Sequence, residues 1–328
     1  AFIFWFVCLL SASLSSAPTY ALSEAVSWFR FPLFAMATVF WLGRDKRLIY
    51  AMLLSTGIGM MMMTGILTAE MLIEGQKGGR LTWPYGDLVP GNYLAKAGLP
   101  AFCVMVALAV GGNGKTSILM GVLASVSLAL SVLAGERINL IIRICAGILA
   151  GVSWNFAWRK FAFVTAGFSS VILSVFMFQG SMEGRFTTAI LHDLPTGDSS
   201  DYYRVMGGGV IAFLDAPLLG IGTANYRDLC PYILAEGSAF RCDNHPHNFY
   251  IQMLAETGIL GFAAGLFMIS AMVISLFRAG RANNQNVVTA TAYIVPLGLF
   301  FPLQSTADFF GQWNNIFLWS AEIGRAHV

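Results

Sequence analysis

His245 and His247 stand one residue apart, with Pro246 between them, near the head of CDNHPHNFYIQMLAETGILGF (242–262), a polar, patterned stretch in an otherwise apolar chain. An imidazole changes charge near neutral pH, so one held at a membrane surface can take a proton from an attacking hydroxyl. The same ring can cap a helix or rest at the interface without reacting, and both readings stay open. A zinc site would need more ligands than H-x-H supplies, and the chain offers no third at a standard spacing, so no metal is expected. Asn248, Gln252 and Glu256 recur every fourth residue and would share one face of a helix. Pro246 has no backbone N–H and suits a first helical turn. A helix is therefore expected from about His247 to Thr257, with Asn244 as its cap. Gly258 and Gly261 then permit a bend or close packing as the chain enters the membrane.

Arg30, Arg137, Arg143 and Arg204 lie within or beside apolar runs, where a charge is costly enough to suggest a functional role. Arg137 separates two apolar runs and Arg204 opens a Gly-rich one. Each has an alternative: Arg137 can pair with Glu136 or snorkel to headgroups, and Arg204 can balance Asp201. Arg30 can also snorkel, while Arg143 lies deeper and would face a polar interior. A guanidinium offers a planar fork that matches phosphate oxygens. At a membrane boundary the natural ligand for such a fork is a lipid diphosphate.

These groups need a scaffold, and composition specifies its kind. Of 328 residues, 57% are hydrophobic and 11% charged, which lies outside the range of soluble globular domains. An all-α, polytopic transmembrane helix bundle is expected, with apolar spans near 1–16, 24–42, 48–73, 97–110, 117–134, 138–157, 161–179, 258–277, 287–303 and from 316 onward. The connections GRDKR, GGNGKT, WRK and RAGRANNQN hold eight Lys or Arg and one acidic residue, Asp45. Those loops are assigned to the cytoplasm. The segments 74–96, 135–137, 180–250 and 304–315 then face outward, and this parity holds through every crossing.

Three blocks follow: N-terminal helices over 1–179, a large, partly helical outer loop over 180–257, and C-terminal helices over 258–322. Both ends fall inside apolar runs and are expected to be truncations, and residues 323–328 read as the translation of a sequencing adapter. Cys8, Cys103 and Cys145 lie in apolar spans and read as small buried hydrophobes. Cys230 and Cys242 share the outer loop, in what would be an oxidising compartment, so a disulfide and two free thiols are both open there.

With these residues in place, the chain resembles the O-antigen ligase and polymerase superfamily. HNFYIQMLAETGILGF carries a His-Asn pair, nine residues, Gly, two residues and Gly, at His247, Asn248, Gly258 and Gly261, with Phe262 where Thr or Val is usual. DAPLLGIGTANY (215–226) is similar to the family's Pro-Leu-x-Gly-x-Gly element, preceded by an arginine that matches Arg204. LAGERINLI places Arg137 as the other arginine, with Ala134 where serine is frequent, and RLTWPYGDLVPGNYLA (80–95) loosely resembles an outer-loop element opening with Arg80.

The resemblance implies an inverting, metal-independent glycosyltransferase of the bacterial inner membrane, with its active site facing the periplasm. The donor would be a polyprenyl (undecaprenyl) diphosphate-linked glycan, and the acceptor lipid A-core or a growing polysaccharide. Arg137 and Arg204 would hold the diphosphate, and His247 would act as general base. Arg80, His245, Asn248, Gln252 and Glu256 would be supporting groups. Membrane lipids are the other expected partners; no cofactor and no nucleic acid is expected. Within the family, ligation in lipopolysaccharide biosynthesis stands beside polymerisation, with a protein-glycosylating relative as a third option. From another class, a lipid-linked-sugar transporter or flippase would instead need charges spread along several helices near the midplane, with broken helices in matching halves.

Overall fold

The break that organises the fold is a single glycine. In the computed structural model, helix α11 (Phe249–Ala282) contains Gly258 at φ 62°, ψ −167°, a backbone region open essentially to glycine alone. Before it lie α1 (Phe2–Leu14), α2 (Pro18–Trp28), α3 (Arg30–Leu42), α4 (Lys46–Ile73), α5 (Leu99–Gly111), α6 (Gly114–Leu133), α7 (Arg137–Ser153), α8 (Trp158–Phe178), α9 (Asp201–Asp215) and α10 (Tyr226–Ile233). After it come α12 (Val287–Thr291) and α13 (Ile294–Leu299). The structure describes all residues except 43–44, 78–79, 85, 87–95, 136, 179–199, 283–285, 305–307, 313–314, 317 and 320–328.

Among the described residues the chain is helical, without a strand; Lys77 and Arg80 form an isolated bridge. Two helices, α6 and α11, are long and apolar enough to cross a membrane, and several shorter apolar helices accompany them. The expected span 24–42 is two helices: Pro18 opens α2 and the chain turns at Phe29 before α3. The span expected at 287–303 is likewise two short helices. The outer-loop helix does not start at His247; it starts at Phe249, and the cap is Asn248 rather than Asn244. The Asn248 side chain accepts from the N–H groups of Tyr250 at 3.0 Å and Ile251 at 3.3 Å, the geometry an N-cap supplies.

The chain divides into two compact units. The first comprises Ala1–Val39, Leu191–Val273 and Phe300–Ile323. Its centre is aromatic: Phe4 packs on Trp28, Phe309 and Phe310, and Phe249 packs on Phe300 and Phe309. The second comprises Phe40–Ile190, Ile274–Leu299 and Gly324–Val328. There α5 packs against α6, α7 and α8, with α12 and α13 beside it. Arg143 lies inside this unit at 1% exposure. Its guanidinium sits 4.9 Å from the centre of the Phe102 ring and donates to Ser127 Oγ at 2.9 Å. That environment gives it a packing role.

Candidate active site

Within the first unit, glycines bring two distant segments together. On α9, a Cβ at Gly207 would lie 2.1 Å from the Phe240 ring, one at Gly208 would meet the Arg241 carbonyl at 2.7 Å, and one at Gly209 would meet Ile251 and Pro246. The run GGG therefore lets residues 240–246 and the start of α11 lie directly on α9. Backbone bonding locks the register, with the Arg241 N–H donating to the Arg204 carbonyl at 3.0 Å. Arg204 occupies the first turn of α9, exposed, and the Ser200 side chain caps that helix by accepting from the Tyr203 N–H. The segments carrying Arg204 and His247 are thus one packed body.

His247 holds the left-handed conformation, φ 56°. Its Nε2 lies 3.4 Å from Asp243 Oδ2 and its ring centre lies 4.3 Å from that of His245. Arg241 stands between two carboxylates, 3.8 Å from Asp243 and 3.7 Å from Asp201. The chain Arg204, Arg241, Asp243, His247 therefore links the two candidate reactive groups through one backbone bond, one ion pair and one side-chain hydrogen bond. Asp243 and Arg241 were missed from sequence, although an Asp four residues before a His was visible as a spacing. Cys230 and Cys242 form a disulfide, with an S–S distance of 2.03 Å. It closes the loop that leads into this turn and packs on the core of Ala212, Ile221, Tyr226 and Ala255.

The Asp243 carboxyl is held below the usual carboxylate range, first by the Asn244 N–H at 2.8 Å, then by His247 and Arg241. A depressed carboxylate contributes stability above its ordinary pKa and loses that contribution as pH falls through the lowered value. Thermal melts of the protein should therefore decline below about pH 4, and the decline should be shallower in Asp243→Asn. Asparagine keeps an oxygen for the Asn244 N–H but removes the charge facing His247. Activity in that variant is expected to drop about tenfold at pH 7, and its melt at pH 7 to fall slightly below native because the carboxylate's contribution is gone; unchanged activity would show that Asp243 does not act through His247.

The ridge of Asn248, Gln252 and Glu256 is buried and holds irregular backbone. The Asn248 side-chain amide donates to the Pro302 carbonyl at 2.7 Å. Gln252 donates to Asp308 Oδ1 at 2.6 Å and accepts from the Phe309 N–H at 2.8 Å. Glu256 accepts from the Ala224 N–H at 3.1 Å, the Tyr226 N–H at 3.3 Å and the Gln252 amide. Three non-helical stretches thus find partners along one helix face, as buried backbone requires. Burial pushes the Tyr226 phenol up, so it remains a neutral donor, to the Val205 carbonyl at 3.4 Å.

The segment 217–222 completes the break at Gly258. Ile221 and Gly222 donate to the carbonyls of Ala255 and Glu256, while Ile259 and Leu260 donate to those of Pro217 and Leu218. The four backbone groups are those that a broken helix would otherwise leave without an intrahelical partner.

Arg80 and Arg137 belong to the second unit. Arg80 is half-buried and paired through its backbone with Lys77. The segment that follows is tied down by Glu70, whose carboxylate accepts from Thr82 and Trp83. Arg137 opens α7, and Glu136 lies outside the described residues. Among the described residues no group of three or more His, Cys, Asp or Glu is placed to hold a metal ion.

A protein-family model described as O-Antigen ligase matches residues 101–266, about half of the chain. The chain belongs to the O-antigen ligase family. The matched stretch includes Arg137, Arg204 and His247 and excludes Arg80. The family supports a membrane glycosyltransferase of O-antigen ligase or polymerase type. No curated protein matches the chain.

Proposed function

We propose that the protein is an inner-membrane glycosyltransferase that moves a glycan from polyprenyl diphosphate to an acceptor hydroxyl on the periplasmic face. The acceptor is lipid A-core, and polymerisation is the nearest alternative. The observation that carries this reading is the packing of the Arg204 and His247 segments on each other across Gly207–Gly209, inside the matched region. In the tautomer that donates Nε2–H to Asp243, His247 keeps its lone pair on Nδ1. Nδ1 takes the acceptor's proton as the hydroxyl oxygen bonds to the anomeric carbon. The bond from that carbon to the diphosphate oxygen breaks on the opposite face, which inverts the centre. Arg204 stabilises the charge gathering on the departing diphosphate, as fixed cations do for a leaving group. No metal is needed in this scheme. A transporter would use a broken helix to present backbone groups to its cargo; at Gly258 the chain's own 217–222 segment occupies those groups.

Arg204→Lys tests the diphosphate role. A point charge replaces a planar fork, so transfer from the lipid-linked glycan is expected to fall about 10–100-fold, with the melting temperature unchanged at this exposed site. Unchanged kinetics would leave Arg204 as a surface charge. Product analysis with lipid A-core present separates the acceptors: glycan on lipid A-core marks a ligase, and glycan lengthened on its carrier marks a polymerase.

A further inference from the structure

The second unit carries a groove lined by none of the candidate site residues. It lies between α6 and α8 and encloses about 660 Å³. The two helices start at the same end, because the Lys160 ammonium at the head of α8 donates to the Gly112 carbonyl and lies 3.5 Å from Asn113 Oδ1, just before α6. Along α6 the lining runs from Gly114 to Ala129, and along α8 from Arg159 to Val171. At 1.5 Å per residue the α6 side is about 22 Å long, which exceeds the roughly 15 Å of one hydrocarbon leaflet. The walls are apolar, with Ile118, Val122 and Phe163 exposed along them. Among the described residues no acidic residue lines the groove, and its charged residues there, Arg159 and Lys160, lie together at the end where both helices begin. The Arg159 guanidinium lies 5.5 Å from the centre of the Trp158 ring and is exposed.

A long apolar channel with cations at one end only fits an amphiphile with an anionic head. We propose that this groove binds an anionic phospholipid, with an acyl chain between α6 and α8 and its phosphate at Arg159 and Lys160. A net-neutral headgroup carries an ammonium that would face the same two cations, so the site discriminates by charge. Basic side chains at a membrane surface each strengthen binding to anionic lipid about fivefold. Arg204 and His247 belong to the first unit, and occupancy of this groove is measurable without transfer.

Native mass spectrometry of the purified protein, given phosphatidylglycerol or phosphatidylethanolamine of matched chains, tests it. The native protein should retain phosphatidylglycerol preferentially. Arg159→Gln should reduce that retention about fivefold and leave phosphatidylethanolamine unaffected. Gly167→Leu places a side chain where a Cβ meets nothing within 4 Å, so it fills the groove without a backbone clash and should weaken both lipids. Equal retention of the two lipids by the native protein would overturn the proposal, as would phosphatidylglycerol retention unchanged in both variants. A dimer that survives delipidation and dissociates on Gly167→Leu would also overturn it, by making a second copy the occupant.

Discussion

Replacing His247 with asparagine is expected to lower glycan transfer by about 10²–10⁴-fold, the usual contribution of a positioned general base. Asparagine is the informative substitution because His247 sits at φ 56°, a conformation asparagine tolerates better than alanine. Its tolerance of the left-handed backbone keeps the turn between the disulfide and α11, while the proton acceptor is lost together with the Asp243 contact, which the shorter side chain does not reach. Binding of the polyprenyl diphosphate donor should stay near the native level, since the arginines that would hold it are untouched. His247→Ala should lose transfer to the same extent and also melt slightly earlier. Transfer within about twofold of native in His247→Asn would remove the general-base role and leave His247 as a turn residue.

How much of this arrangement the sequence reveals depends on where the partners lie. His247, Asn248, Gly258 and Gly261 announce themselves by type and spacing within one stretch, and the helical class follows from apolar runs. The spacing of Asn248, Gln252 and Glu256 correctly places them on one helix face, but it cannot say what that face meets. Their partners are backbone groups near residues 224, 302 and 309, and a backbone amide has no residue type to read. The displaced helix start has the same origin. Asn244 and Asn248 are both good caps by type, and the structure takes the second, just after His247 in a left-handed turn that the spacing does not announce. Likewise, GGG in α9 reads as a weak helix until Phe240, Arg241 and Pro246 are found lying against it.

The same reasoning joins two motifs that look independent in sequence. Pro217 to Gly222 and Ala255 to Leu260 exchange four backbone hydrogen bonds, so each is the completion of the other. Ser11 adds a further bond to the Glu256 carbonyl at 2.8 Å, and Thr223 donates to the Cys8 carbonyl at 3.1 Å, tying α1 to the same junction. A polar junction of this kind keeps its shape only while every member is satisfied. It places the Asn248-capped turn, and with it His247, at one end of a helix segment fixed at its other end.

Gly258→Ala is therefore expected to be the most damaging single change outside the reacting groups. A Cβ there would lie 2.4 Å from both the carbonyl carbon and oxygen of Leu218 and 2.5 Å from the Leu219 nitrogen. These are backbone atoms that cannot rotate aside. The conformation at φ 62°, ψ −167° costs a residue with a side chain about 1–3 kcal/mol before any contact is counted. Relieving the clash means moving 217–222 and giving up its four bonds, each contributing about 1 kcal/mol. The sum, about 5–7 kcal/mol, reaches the whole stability of a marginal domain. Most of the variant should fail to reach a monodisperse folded state, and what does fold should lose transfer. Gly237→Ala is the control. It also has positive φ, at 80°, but a Cβ there meets nothing within 4 Å. That variant should lose only about 1–2 kcal/mol to the left-handed backbone and keep its activity. If the two variants melt within a few degrees of each other, the steric lock between Leu218 and the helix break is not what holds the junction. The strain of a left-handed residue alone would then account for both.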